Sequence, residues 1–405
     1  MKKALLIIIG AMLMFGSLTA EAKKKPEEVK KPDVYQFTMV KQVQTSPVKD
    51  QYKSGTCWSF SAISFLESEL LRLGKPVYDL SEMFLVRTNY ADKAKKFVRW
   101  HGSASFSGGG GTSDLLYTWR NYGLVPEKVY PGLDYGQEKH VHGELDALLG
   151  AYVNTVLKNP NGKISTKWFD GYNGILDAYL GKYPDKFDYE GKEYTPRSFA
   201  DGLGLNPDDY VTITSFIHEP YYKPFVLDVP DNWNWENVYN VPLDDMIKIM
   251  DNSIMTGYSL IWGGDVSEKG FQHKKQGLAV VLNDNYQDMA GSEISKWDEI
   301  PYKDKLDSLY NFKTIRPEKE ITPEIRQKAY DSWETGDDHG MNIVGIAKDQ
   351  NGNQYYYTKN SWNNDSNKFG GYLYISVPYI KLATTAIMVN KNAIPADIRQ
   401  KLNIK

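Results

Sequence analysis

The chain has 405 residues, with 48 Lys and Arg against 51 Asp and Glu and a formal net charge of −3. Both signs are interspersed, so no basic face points to nucleic acid or an anionic membrane surface as a partner. One cysteine rules out an internal disulfide framework, and the length is enough for two or three lobes with cores of their own.

Met1-Lys2-Lys3 and the apolar run from Ala4 to about Leu18 read as a signal peptide, with Ala20-Glu21-Ala22 as the small-x-small cleavage pattern. The run is short for a membrane span of roughly 20 residues. Residues 1–22 are therefore expected to be removed, leaving an exported protein, periplasmic or secreted, with no stable membrane insertion. Residues 23–33, rich in Lys, Glu and Pro, read as a solvated linker.

Val34 to Val48 reads as extended, stopped by Pro47 and the charged turn Lys49-Asp50. Ser59 to Leu73 reads as a buried helix: Trp58, Ala62, Phe65, Leu66 and Leu70 recur at three- and four-residue spacings. Gly74 ends it, and Ser81 caps the next helix. The string Gly108-Gly-Gly-Gly111 leads into a helix from Leu115 to Tyr122, closed by Gly123. It lacks the lysine and hydroxyl spacing of a P-loop. It reads either as bare backbone offered to an extended peptide or as a flexible loop. From Tyr135 to Lys275, helical patterns (Leu145–Leu157, Gly171–Leu180, Leu243–Ser253) alternate with breakers such as Asn206-Pro207 and Pro230-Asp-Asn-Trp233. Leu278 to Pro317 is polar, with Trp297 and Tyr302 as packing anchors. Strands follow at Met341–Ala347, Gln354–Thr358, Gly371–Val377 and Thr384–Val389, the first two joined by a turn containing Asn351-Gly352. The class is α+β, with antiparallel β in the C-terminal part.

Cys57 opens the first helix. A lone cysteine most often packs as a small inert hydrophobe, but an unpaired one in an exported protein suggests a reactive thiol or a quaternary partner. A helix N-terminus is expected to lower its pKa. A thiol nucleophile needs a base, and the base needs an orienting group. Of the six histidines (His101, His140, His142, His218, His273 and His339), His339 begins a strand. A turn centred near Gln350 sets it opposite Ser361, beside Asn360. The Asn360 amide oxygen could then accept from one ring nitrogen, with Trp362 roofing that bond. Gln51 and the Cys57 N–H would form an oxyanion hole worth about 3 kcal/mol per donor. The histidines are too scattered for a metal site, so no cofactor is expected.

The segment Thr45 to Phe60, containing Gln51-Tyr-Lys-Ser-Gly-Thr-Cys57-Trp58, resembles the active-site segment of papain-like cysteine peptidases. Leu80-Ser81-Glu82, Gly109-Gly110 and Lys359-Asn360-Ser361-Trp362 are similar to further landmarks of that family. The resemblance implies Cys57 as nucleophile, His339 as general base and acid, Asn360 as orienting residue and Gln51 as oxyanion donor. Gly109 and Gly110 become the clamp on the substrate backbone, with Trp58 beside them. Ser54 stands where secreted relatives carry a disulfide cysteine, and Cys57 and His339 are about twice as far apart in sequence as usual. Both features, with Gly123–Pro131 and Ser259–Val266, resemble the bleomycin hydrolase/aminopeptidase C branch.

That resemblance implies a papain-like fold. A helical lobe would span 34–134, a large and mainly helical insertion 135–275, and a β lobe with the tail 276–405. It implies hydrolysis of peptide substrates through a thioester, starting from a thiolate–imidazolium pair. It also implies aminopeptidase action, an insertion that restricts the cleft, and a homo-oligomer, a hexamer in that branch. In the branch a C-terminal arm holds the substrate's amino group. Here the stretch ending Ile398 to Lys405 is short, which leaves endopeptidase action as an alternative. Acyl transfer through the same thioester and a non-catalytic scaffold are the other readings.

Overall fold

The computed structural model describes residues 34–283 and 301–405. The expected signal peptide, the linker and Trp297 lie outside these residues, as does the Tyr302 side chain. In chain order, β1 (Phe37–Gln42) precedes α1 (Cys57–Arg72), α2 (Glu82–Arg99), α3 (Asp114–Tyr122), α4 (Gly143–Leu157) and α5 (Trp168–Leu180). A small hairpin, β2 (Phe187–Tyr189) and β3 (Lys192–Tyr194), leads to α6 (Pro196–Gly202). Then come β4 (Tyr210–Thr214), β5 (Pro224–Val226), β6 (Asn237–Asn240), α7 (Leu243–Met255), β7 (Leu260–Gly264), β8 (Phe271–Gln272), α8 (His273–Gln276) and β9 (Leu278–Ala279). The last part holds α9 (Tyr302–Leu309), α10 (Pro323–Asp331), β10 (His339–Asp349), β11 (Gln354–Lys359), β12 (Tyr372–Ser376), α11 (Val377–Ala383), β13 (Thr384–Asn390) and α12 (Ala396–Lys401).

The expected helix stops form. Gly74 adopts φ +71°, and the bonds Lys75 N–H to Leu70 O (3.0 Å) and Gly74 N–H to Leu71 O (2.9 Å) close α1 in a Schellman motif. Ser81 Oγ accepts from Phe84 N–H at 3.0 Å and caps α2. Every residue of α1 from Trp58 to Leu70 is buried. One side meets the helical core of Leu66, Phe84 and Leu115; the other lies against the sheet.

Residues 135–275 feed both halves of the molecule. Leu145, Leu149 and Val153 of α4 and Tyr172, Leu176 and Leu180 of α5 enter the same core as α1 and α2. Each such aliphatic burial contributes roughly 1.5–3 kcal/mol. Further on, β4 to β7 enter the sheet, and α7 packs Met246, Ile249 and Ile254 with Ile343 and Ile387 of the strands.

Eleven strands form one sheet in the order β5-β6-β4-β13-β7-β10-β11-β12-β9-β8, with β1 on β10. Most pairings are antiparallel; β4–β6 and β9–β12 are parallel, so the sheet is mixed. β10 is its axis. It pairs with β7, β11 and β1, and only Lys348 along it is exposed.

Two sequence readings need correction. The β10–β11 turn centres one residue later than expected, because Asp349 Oδ1 accepts from both Asn351 and Asn353 N–H at 2.9 Å. Lys348 therefore faces Gln354, and after an irregularity between Ile343 and Gly345 the ladder ends with Asn342 opposite Lys359. His339 is not opposite Ser361; it pairs with Gly264 of β7. The strand read as Gly371–Val377 ends at Ser376, whose side chain caps α11 through Tyr379 N–H at 3.2 Å.

The loop before Cys57 is braced by residues 140–142. Lys53 N–H bonds His140 O, and His142 N–H bonds Lys53 O, both at 3.0 Å. The two imidazoles are buried, and neither ring nitrogen of His142 has a hydrogen-bond partner among the described residues. Burial pushes both pKa values down to about 4. Unfolded, they titrate near 6.5, so below that pH the unfolded chain binds more protons and stability is lost as pH falls toward 4. Thermal unfolding at pH 7, 5.5 and 4 should show this loss, and His140→Leu/His142→Leu should flatten the slope. An unchanged slope would rule these two groups out.

Candidate active site

The site is assembled at a seam between the loop before α1 and the end of β11. Gln51 N–H donates to Ser361 O at 2.8 Å, Ser361 Oγ–H to Gln51 Oε1 at 2.6 Å, and Asp50 pairs with Trp362. These bonds fix the start of α1 against Asn360. From the same side, β10 settles on the first turn of α1. A Cβ on Gly340 would lie 2.8 Å from Ser61 Oγ and 3.3 Å from Trp58 Cα, so only glycine permits this approach. The Cys57 sulfur accepts hydrogen bonds from the N–H groups of Gly340 and Trp58. Cys57 and His339 line one pocket, together with Trp58, Gly110 and Asp231.

The tautomer of His339 follows from its neighbours. Its Nε2 lies 2.9 Å from Asn360 Oδ1, and that same atom accepts Ser361 N–H at 2.8 Å. An atom facing a backbone donor is the amide oxygen, so Nε2 carries the hydrogen. Nδ1 is then the basic nitrogen available to the thiol. The Trp362 ring lies 4.8 Å from the imidazole, centroid to centroid, covering the His–Asn pair. The contact is made by side chains rather than by ladder position, which explains why it survives the register correction.

The helix N-terminus is not the largest influence on the thiol. Burial pushes Cys57 up to about 12, reinforced by the charges of Asp231 and Asp337, and outweighs the two N–H bonds to the sulfur. Burial also lowers His339 to about 4, against the hydrogen bond it donates to Asn360 Oδ1. Burial thus acts on each group against the expected ion pair, and the helix N-terminus acts for it.

The glycine string is a wall built for closeness. A Cβ on Gly110 would lie 2.8 Å from the Trp58 ring and strike Asp114; one on Gly109 would strike the Asp231 carboxylate. Lys93, buried in α2, holds the carbonyls of Ser107 (3.1 Å) and Gly109, while Trp58 Nε1–H and Tyr90 O–H bond Gly108 O at 3.1 and 3.3 Å. Gly110 and Trp58 line the pocket with Cys57 and His339; Gly109 faces Asp231, while Gln51, Asn360 and Trp362 stand behind. Gln51 Nε2 donates one hydrogen to Ser54 O at 2.8 Å and keeps a second.

Sequence reasoning missed several residues here. The segment Pro230–Trp233, read only as a breaker, reaches into the pocket with Asp231. Trp233 Nε1–H and Asn234 Nδ2–H anchor it to Asp114 at 3.0 and 3.3 Å, and Trp235 packs edge-on against Trp100 at 4.3 Å. Asp337, beside His339, lines the same pocket, and burial pushes it up to about 8 and Asp114 up to about 7. His273 lies behind Asn360. No pattern in the sequence marks any of these, since each depends on a distant loop folding back.

A model of the papain family of cysteine proteases matches residues 32–164, the part that carries Cys57. Residues 32–164 thus carry a papain-family cysteine protease domain, and the chain is a cysteine-type peptidase. Among relatives of this peptidase, aminopeptidase C of Lactobacillus delbrueckii subsp. lactis is 23% identical across 89% of this chain and 82% of the relative. The mitochondrial cysteine proteinase 1 of Saccharomyces cerevisiae (strain YJM789) is 22% identical across 92% and 80%. The crystal structure of PepW from Lactobacillus rhamnosis HN001 superposes with a TM-score of 0.67 at 20% identity, covering 90% of this chain and 84% of that one. The peptidase thus has the papain-like fold. No helix among its described residues is long and apolar enough to cross a membrane.

The wall gives a direct test. Gly110→Ala should destabilise the peptidase by on the order of 1–3 kcal/mol and distort the pocket. Gly150→Ala, inside α4 with nothing within 4 Å of the added carbon, should stabilise it by about 0.5–1 kcal/mol. Urea unfolding of both variants checks the contrast in sign.

Proposed function

We propose that the peptidase is an aminopeptidase that works through Cys57, His339 and Asn360. The Cys57 sulfur attacks the scissile carbonyl as its proton passes to His339 Nδ1. The tetrahedral oxyanion is held by the Cys57 N–H and the second hydrogen of Gln51 Nε2. His339 returns the proton to the leaving amine, then takes one from the water that hydrolyses the thioester. Proton transfer within the pair, rather than a standing charge separation, suits a thiol held up and an imidazole held down by burial.

The observation that carries exopeptidase action is Asp231 in the same pocket as Cys57 and His339. Its anchored loop narrows the cleft beside the glycine wall. Around it, Asp114, Asp146 and Asp231 share the near cation Lys93. A substrate α-ammonium group supplies the missing positive charge. The relatives called aminopeptidase C support the same reading. Export directed by residues 1–22 and assembly into a homo-oligomer belong to this proposal too. N-terminal sequencing of the secreted form and sedimentation of the mature protein test them.

Cys57→Ala should lose at least about 10³-fold in turnover and all labelling by the epoxide E-64. On aminoacyl coumarin amides, the wild type should favour a free over an acetylated amino terminus, and Asp231→Asn should cut that preference about 10-fold or more. Internal cleavage of blocked peptides at the same rate as free ones would point to an endopeptidase instead.

A further inference from the structure

We propose that His273 is a positioning residue that sets the orientation of the Asn360 amide and, through it, the tautomer of His339. The proposal rests on the Cys57–His339–Asn360 reading. His273 opens α8, far from His339 in sequence, and is 2% exposed. Its Nδ1 lies 3.4 Å from Asn360 Nδ2, and Asn367 Nδ2 lies 3.3 Å from both ring nitrogens. Asn367 Nδ2 is fixed as the amide nitrogen, because it also donates to Tyr372 O at 2.8 Å while its Oδ1 accepts Phe369 N–H at 2.9 Å. Asn360 Nδ2, fixed as the amide nitrogen because Oδ1 takes Ser361 N–H, donates to Nδ1, which is then the unprotonated nitrogen. Nε2 carries the hydrogen and lies 2.9 Å from Ser366 Oγ, whose own proton goes to Asn363 O at 2.7 Å.

Every donor in this chain then meets an acceptor. Ser366 donates to Asn363 O, His273 to Ser366, Asn360 to His273, and His339 to Asn360. The direction matters. The two ends of an amide have the same shape, and among the described residues Ser361 N–H is the only backbone donor on Asn360 Oδ1. Without an acceptor at His273 Nδ1, Asn360 Nδ2 would be buried facing nothing, and such a group costs about 1–3 kcal/mol. A flipped amide would offer a donor to His339 Nε2 and move the ring hydrogen to Nδ1, where it would block proton uptake from the thiol. The Trp362 ring, 5.0 Å from His273 and 4.8 Å from His339, keeps water from substituting for either partner.

The test uses the full chain with ¹⁵N-labelled histidines. His273→Phe keeps a ring and removes the acceptor; His273→Asn keeps an oxygen near the Nδ1 position. His273→Phe should lower kcat about 10-fold with KM unchanged, as loss of an outer partner of a functional histidine does. The His339 ¹⁵N shifts should move from a single Nε2–H form toward a mixture. His273→Asn should restore both, and in an Asn360→Ala background His273→Phe should cost nothing further. A His273→Phe enzyme within twofold of wild type, a loss that adds fully to that of Asn360→Ala, or an unchanged His339 tautomer would each overturn the proposal. If His273→Phe does not fold, His273→Asn decides alone: near-wild-type kcat and tautomer support the role, and a loss as large as that of Asn360→Ala refutes it. The tautomer is read without turnover, so it separates this role from the peptidase mechanism, which E-64 labelling of Cys57 tests by itself.

Discussion

The constraint on which the site depends is the seam between the chain before α1 and the end of β11. Two backbone-level contacts and one side-chain bond, all through Gln51 or Asp50 and Ser361 or Trp362, hold a helix N-terminus against a strand end. Beneath the seam lies a set of charges in which Glu67 and Glu82 are buried and Asp79 is exposed. Lys49 contacts Glu67 (3.5 Å), Asp79 (2.7 Å) and Glu82 (2.8 Å), while Lys359, next to Asn360, donates to Ser46 Oγ at 3.0 Å. Removing one partner from such a set leaves an uncompensated charge, which costs about 3–5 kcal/mol. The site therefore inherits its rigidity from interactions that never touch substrate.

The same desolvation that stiffens the site governs its protons. Cys57, His339, Asp337 and Asp114 are all pushed toward their neutral forms. A pocket in this condition favours groups that bring charge with them or pass protons over a single short step. The proposed mechanism accordingly pairs an incoming ammonium group with Asp231 and passes one proton from sulfur to Nδ1. It also explains why capping and carbonyl contacts, such as Lys93 on the glycine string, carry so much of the architecture: buried dipoles must be paired where buried charges are too expensive.

How far the sequence could be read depends on the range of the interaction. Cys57 at a helix start, Ser81 as a cap, Gly74 as a stop and the strand beginning at His339 were legible because each rests on neighbours a few residues away. The His339–Asn360 pair was reached from a hairpin argument whose register was off by one, since Asp349 draws the turn toward Asn353. The pairing held because side chains a few ångströms long tolerate a shift that a backbone ladder does not. Asp231 and His273 left no local trace. One arrives on a loop pinned by Trp233 and Trp235, the other on a four-residue helix, and neither loop has a periodic pattern to announce it.

By itself, then, the sequence determined which groups could do chemistry: one thiol, an imidazole at a strand start, an amide two strands' length further on, and glycines where backbone must lie bare. Periodicity, capping and turn chemistry are local, and they were enough for that. Only the tertiary structure decided the burial around the thiol and imidazole, the arrival of Asp231 in their pocket, and the second histidine behind Asn360. Each of these is set by burial and by contacts between residues far apart in the chain, and desolvation is a property of the folded interior that no short stretch of residues carries.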